Sequence, residues 1–369
     1  MNDKFNTENE DNMEKEKKSK IKKILVNLTI FILLIILTFS LVLKDQDVSQ
    51  IFSVAAKVKK QYILFAVLAM SIYILGEAVN ITRILKELGE KSKLISNIRY
   101  TLIGFFFSAI TPAASGGQPM EIYYMHKDDI SVANSTLALL MQLCSLQIFT
   151  ITVGTISAVI HFEVLKSGLI YLLILGIILN SSALMLLIIA IFSKRLSEGL
   201  IKFVVKLLKF FRIPNVEKKQ EKLEKELESY QTSAKYIKEH KILMLKTVIT
   251  TVVQMIAYYS VPYWIYLAFG LTEYNILEIL TLQAVLYATV SGIPSPGAVG
   301  VSEGGFLGIF RNVFPETIIS SAMLLTRGAN FYLFIIISAI IVMISTFREK
   351  RIEKKQMQET EVLTEKSEK

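Results

Sequence analysis

Apolar runs long enough to cross a bilayer recur along this chain, at residues 24–43, 62–79, 137–160, 169–192, 242–269 and 318–347. An α-helix rises 1.5 Å per residue, so about 20 apolar residues cover the ~30 Å hydrocarbon core of a membrane. Lipid offers no hydrogen-bond partners to the backbone, and a helix satisfies its own. The runs therefore predict an all-α polytopic membrane protein. Fifty-two per cent hydrophobic residues and a mean hydropathy of +0.48 exclude an ordinary soluble domain. The first run is longer than the apolar part of a signal peptide, and no small-residue cleavage site follows it. It is expected to remain as the first span.

The two short apolar runs, 100–110 and 276–290, end differently. They lead into TPAASGGQPMEIYY (111–124) and IPSPGAVGVSEGGF (293–306). Each of these stretches holds prolines, glycines and one glutamate. Proline and glycine stop a helix, and glycine also allows close approach and unusual dihedrals. Pro112, Gly116, Gly117 and Pro119 mark the first break; Pro294, Pro296, Gly297 and Gly300 mark the second. Nine positions separate Pro112 from Glu121, and nine separate Pro294 from Glu303 (121 − 112 = 303 − 294). A reading as plain surface loops stands beside a reading as broken helices inside the membrane.

Charge distribution favours the second reading. The net charge is +9, and basic residues crowd 15–23, 83–99, 194–241 and 348–355. These blocks flank the spans, so they signal the cytoplasmic side rather than nucleic-acid binding. They are also suited to holding anionic headgroups, at about 1 kcal/mol per basic residue. Threading the chain with these blocks inside leaves both ends of 100–124 cytoplasmic and both ends of 276–314 external. Lys44, Lys57, Lys59 and Lys60 fall outside in this scheme, against the rule, and are outvoted by the larger blocks. The expected architecture is about six full spans plus two re-entrant hairpins, arranged as inverted-topology repeats. In transporters such repeats place the site at their interface near the midplane.

The reading divides the chain into a charged cytoplasmic tail (1–22), a first membrane repeat with the start of the second (23–192), a cytoplasmic linker (193–241), the rest of the second repeat (242–348) and a second charged tail (349–369). The tails are apolar-poor and expected to be disordered. The linker opens with a basic amphipathic stretch suited to the membrane surface. It continues into a charged helix, polar nearly all round, expected as a solvated spacer or docking element.

An ionisable side chain within a span costs roughly 2.5–3.5 kcal/mol on insertion scales and should face the bundle interior. Glu77, Glu121, Glu303 and Arg327 qualify. Arg327 lies deep in the last span and requires a carboxylate partner, with Glu303 the first choice and Glu121 the second. With Gln118 and Arg83 these residues form the candidate substrate and translocation set. A structural ion pair is the alternative for the charged pair. Arg83 stands between a headgroup anchor and a substrate contact. Asn80, Gln142, Gln147, Gln254 and Asn330 are expected to make interhelical hydrogen bonds. Tyr258, Tyr259, Tyr263, Trp264 and Tyr266 suggest an interfacial belt.

Little points to chemistry. The single cysteine, Cys144, sits in an apolar run as a packing residue and excludes a disulfide framework. His126, His161 and His240 are too scattered for a metal site. No phosphate-binding loop, nucleophile elbow or zinc-protease motif occurs. No cofactor, metal or catalytic residue is expected.

The two broken motifs, the NITRILKELG stretch after the second apolar run and Arg327 together resemble the lysylphosphatidylglycerol synthase transmembrane-region family, also called flippase-like. The resemblance covers roughly residues 23–348. It implies a cell-membrane module that handles phospholipids or lipid-linked molecules, with a membrane phospholipid as partner. In two-domain members the module is thought to translocate aminoacylated phosphatidylglycerol, altering envelope charge and resistance to cationic peptides. There a soluble C-terminal domain performs aminoacyl transfer. Only residues 349–369 follow the last span here, so that lysyltransferase activity is not expected of this chain alone; a separate synthase protein is the partner the resemblance suggests. Two further readings stay open: a membrane subunit of a lipid-modifying system, and a carrier of a small anion. Ala298 stands where the family signature commonly has glycine.

Overall fold

The computed structural model describes residues 53–111, 114–160, 169–193, 216–293 and 295–348, with isolated positions elsewhere. The expected first span, both charged tails, Pro112, Pro294 and most of 194–215, including the basic amphipathic stretch, lie outside the described residues. The described residues are helical, with no strands among them. Ten helices follow one another: α1 (Lys60–Glu87), α2 (Leu94–Ile110), α3 (Gly117–Lys127), α4 (Val132–Ile160), α5 (Leu169–Phe192), α6 (Val216–Glu239), α7 (Lys241–Ala268), α8 (Ile276–Val290), α9 (Val301–Ile309) and α10 (Ile319–Arg327). A π-helical turn, Gly328–Tyr332, continues α10, which runs on to Arg348. Five of these, α1, α4, α5, α7 and extended α10, are long and apolar enough to cross a membrane. The fold is an all-α polytopic membrane protein.

α1 and α7 are the most extensively packed pair, and they run antiparallel. The Lys59 N–H near the start of α1 donates to the Ala268 carbonyl at the end of α7 (3.0 Å), while Arg83 near the end of α1 reaches the Lys246 carbonyl (2.9 Å). Lipid tails supply no hydrophobic drive between spans, so close packing of small residues must hold them. Gly76 meets this need: a Cβ there would lie 2.7 Å from Gln254 Cβ. Gly154 approaches Ala288 equally closely between α4 and α8. A buried amide network adds specificity. Asn80 Nδ2 donates to Gln142 Oε1 (2.8 Å) and Thr251 Oγ1 (3.1 Å), and Gln142 Nε2 donates to Gln254 Oε1 (3.0 Å). Three helices, α1, α4 and α7, are thereby stitched at one level, as the amide positions in the sequence suggested. Cys144 packs in an apolar core.

Each half of the bundle contains a helical hairpin. α2 and α3 pack on each other, and their outer ends meet where Arg99 and Tyr100 bind Asp128. α8 and α9 do the same, with Tyr274 Oη donating to the Asn312 carbonyl just beyond their outer ends (3.0 Å). The first hairpin opens at the end of the bundle that carries Arg83 and Lys246, the second at the end that carries Lys59 and Ala268. The hairpins thus open at opposite ends of the bundle. With 17 and 15 residues, α2 and α8 are about 25 and 22 Å long, too short to cross alone.

Each break is seated by backbone that turns left-handed. Ala114 and Ala298 have φ of 53° and 52°, and Gly297 and Gly300 have 60° and 86°. For L-residues that region costs roughly 1–2 kcal/mol, so glycine would suit position 298 better than the alanine found there. Ala298→Gly is expected to stabilise the protein by about 0.5–1 kcal/mol after the entropic cost of glycine. A melting midpoint in detergent below that of the parent would contradict this.

α6 differs from its expected character. It is not a free spacer: Ala234 is buried and Tyr230 packs on the same core. Ser233 Oγ donates to Asn134 Oδ1 (2.8 Å), and Tyr236 Oη donates to Glu87 (3.3 Å). A sparse stripe of small and aromatic residues docks an otherwise charged helix onto α4.

Candidate functional site

The two breaks face one cavity of about 300 Å³. Phe105, Ser108, Ala109 and Ala114 line it from the first hairpin; Val290 to Ile293, Ser295, Gly297, Ala298 and Ser302 line it from the second. Tyr73 of α1, Tyr258 of α7 and Tyr287 of α8 complete an aromatic wall, with ring centroids 5.1 Å (Tyr73–Tyr258) and 5.5 Å (Tyr258–Tyr287) apart. Ala114 and Ser291 are its exposed lining positions.

Arg327 is the charged residue lining this cavity. Its Nε donates to Glu303 Oε1 at 2.8 Å, and its Nη2 to the Gly297 carbonyl at 3.1 Å. Phe331 lies under the guanidinium, 4.0 Å from its centre. Glu303 is fully buried and is satisfied by three elements. Beyond Arg327, Tyr332 Oη donates to Oε1 (3.1 Å) and the Gly300 N–H donates to Oε2 (2.7 Å). Glu303 sits in the first turn of α9, where a carboxylate also complements the helix dipole. The carbonyl of a left-handed glycine, a helix start and a π turn are thus fastened by one ion pair. The π turn brings Arg327 and Tyr332, five residues apart, onto the same carboxylate oxygen. Such turns are frequent at functional sites. Nothing in the composition of Gly328–Tyr332 distinguishes it from ordinary helix. The guanidinium, held on Glu303 and the Gly297 carbonyl, still lines the cavity.

Glu121 is placed elsewhere. It is 3% exposed and packs against Gly104 of α2, where a Cβ would overlap its carboxylate. Its Oε2 has no hydrogen-bond partner among the described residues. Glu77 is near enough to act on it electrostatically, and acts also on Tyr73 and Tyr287. Glu121 therefore belongs to the first hairpin, whereas Glu303 belongs to the second and is paired with Arg327 of α10. Gln118 and Pro119 stand on α3, half-buried and exposed respectively, and do not line the cavity. Gly116 and Gly117 pack on Thr111 and Ser108 at the first break, and Pro296 is buried in the second.

Three readings of the spans change. Arg83 is not at the cavity: Nη1 is held by Asn80 Oδ1 (3.0 Å), Thr250 Oγ1 (3.0 Å) and the Lys246 carbonyl. The tyrosines of α7 are not an interfacial belt. Tyr258 lines the cavity, and Tyr259 and Tyr266 are 1% exposed. α7 packs on α1 and α8 along that face, so only Tyr263 and Trp264 remain near the surface. Asn330, expected in an interhelical bond, instead lines the cavity, and its Oδ1 is unpartnered among the described residues.

A bundle of spanning helices, with a polar cavity where two interrupted hairpins meet, defines a multi-pass membrane protein of the kind that houses a site within its helices. A family model, the lysylphosphatidylglycerol synthase TM region, matches residues 24–338. The chain belongs to that family. It is also similar to a UPF0104 membrane protein of Archaeoglobus fulgidus, with 24% identity over 277 residues, covering 71% of this chain and 80% of that protein.

Proposed function

We propose that this protein is a flippase-like carrier that moves a phospholipid or lipid-linked molecule between membrane leaflets. The observation that carries the reading is the shared cavity: two breaks from opposite ends of the bundle, with Arg327 among its lining residues. Helical backbone can be interrupted at membrane depth only where protein or a watery cavity covers it. Two interruptions, one per half, facing the same cavity are what an alternating site between inverted repeats requires. On this reading the two hairpins are re-entrant and the basic end is cytoplasmic. Arg327 meets the headgroup phosphate, and the acyl chains stay in lipid. Aminoacylated phosphatidylglycerol is one substrate that suits the family, with a role in envelope charge and cationic-peptide resistance. Aminoacyl transfer would belong to a separate synthase.

Leaflet exchange of fluorescent lipids by the purified protein in liposomes tests this. Ser291→Trp places a large ring at the exposed rim of the cavity and removes the hydroxyl that pairs with buried Asn180 (3.1 Å). It is expected to abolish exchange at a stability cost of about 1–3 kcal/mol, whereas Ser291→Ala, which loses the same hydroxyl without adding a ring, should keep exchanging. Exchange at the parental rate in folded Ser291→Trp would remove the cavity from the transport path.

A further inference from the structure

We propose that a second pocket, at the basic end of α1 and α7, binds the phosphodiester of an anionic phospholipid. The pocket measures about 580 Å³ and is formed by Arg83 and Glu87 of α1, Glu239 and His240 at the α6–α7 junction, and Lys241 and Lys246 of α7, with the first apolar residues of α7. That volume is in the range of small-ligand sites. About ten residues, or about 15 Å of helix, separate Arg83 from Tyr73 in the central cavity.

Arg83 is held in place. Its Nη1 is bound by three acceptors. The first of these, Asn80, is itself fully buried and fixed by Gln142 and Thr251. The other guanidinium nitrogens make no bond among the described residues. A guanidinium whose position is already fixed loses little freedom on capturing an oxyanion, and its planar fork suits phosphate. The side chains of Lys241 and Lys246 carry no partner among the described residues and add two mobile positive charges beside it. Glu87, which accepts from Tyr236, and Glu239 supply negative charge on the same rim. Two carboxylates beside three cations leave room for one further negative charge, which favours a diester over a doubly charged monoester.

The surface below the pocket identifies the source of the phosphate. Ile242, Leu245, Ile249, Val253 and Ile256 are 46–70% exposed and recur at intervals of three or four along α7. They form an apolar stripe that descends from the pocket along the outside of the bundle. A free anion needs no such stripe, whereas the acyl chains of a lipid do. A phospholipid seated here would tie α1, α7 and the α6 junction together, independently of any molecule in the central cavity.

The test uses the full-length protein in a neutral detergent, with dioctanoyl phosphatidylglycerol as probe and thermal melting as readout. Saturable stabilisation is expected, and the double variant Lys241→Gln/Lys246→Gln should weaken the apparent affinity at least tenfold while melting normally without lipid. Arg83→Lys should weaken it as well, because an amine does not reproduce the anchored fork. Dioctanoylglycerol, which lacks the phosphate, should give no stabilisation, and Ser291→Trp should leave the effect of phosphatidylglycerol intact. Absence of stabilisation in the parent, or its full persistence in the double lysine variant, overturns the site. Loss of the effect in Ser291→Trp would move the lipid to the central cavity. Equal stabilisation by inorganic phosphate would replace the lipid with a free anion.

Discussion

Arg327→Ala is expected to destabilise the protein by about 3–5 kcal/mol, the cost of breaking a buried ion pair by removing one partner. The alanine leaves Glu303 buried, with only Tyr332 Oη and the Gly300 N–H as donors. It also frees the Gly297 carbonyl and removes the cation that lies over Phe331. Arg348→Ala, at an exposed position at the end of the same helix, should change stability by about 0.5 kcal/mol or less. Replacing both partners with methionine should recover much of the stability lost by the single variant, because a well-packed apolar pair often matches a buried ion pair. The recovered protein should nonetheless fail to move lipid. Melting and denaturant curves of the purified variants decide the first comparison: similar tolerance of Arg327→Ala and Arg348→Ala would show that the pair does not hold the break.

Gly297→Ala should be about as damaging, at roughly 2–5 kcal/mol. A Cβ at this left-handed position is disfavoured by about 1–2 kcal/mol, and it would overlap the Phe331 ring, with an overpacking cost of about 1–3 kcal/mol. Phe331 cannot yield freely, because the Arg327 guanidinium and the Phe105 ring lie against it. Gly304→Ala is the matched control. It lies four residues into α9, where a Cβ meets nothing within 4 Å, and the helix gains by up to about 1 kcal/mol. Opposite shifts in melting temperature are expected, and shifts of the same sign would refute this account of the break.

Much of the architecture was legible because membrane folding imposes coarse, local rules. Long apolar runs could be nothing but spans, and the insertion cost of Arg327 pointed to a carboxylate within reach. The prolines and glycines at 111–124 and 293–306 announced interruptions for the same local reason. What escaped depended on distant partners. Arg83 is fixed by a carbonyl and a hydroxyl more than 160 residues away, and neither leaves a mark on composition. Tyr258, Tyr259 and Tyr266 look like interfacial tyrosines until α1, α7 and α8 are packed together. Glu121 carries the same motif spacing as Glu303, but its environment is set by Gly104 and Glu77 on other helices. Equal spacing therefore did not produce equivalent sites. The docking of α6 rests on Tyr230 and Ala234, too few residues to form a recognisable period.

The π turn makes α10 two helices with different rotational phases. Before it, Ile319, Ala322 and Met323 belong to the core built on the second hairpin. From its last residue onward, Tyr332, Ile335, Ala339 and Val342 pack on the core built on the first, and Tyr124 Oη of α3 lies 3.3 Å from Thr346 Oγ1. One inserted residue turns the helix at the changeover, so a single rod grips both hairpins on differently directed faces. Arg327 sits at that join. A rotation of the rod driven at one hairpin must therefore be felt at the other, which makes α10 a mechanical linkage between the two hairpins.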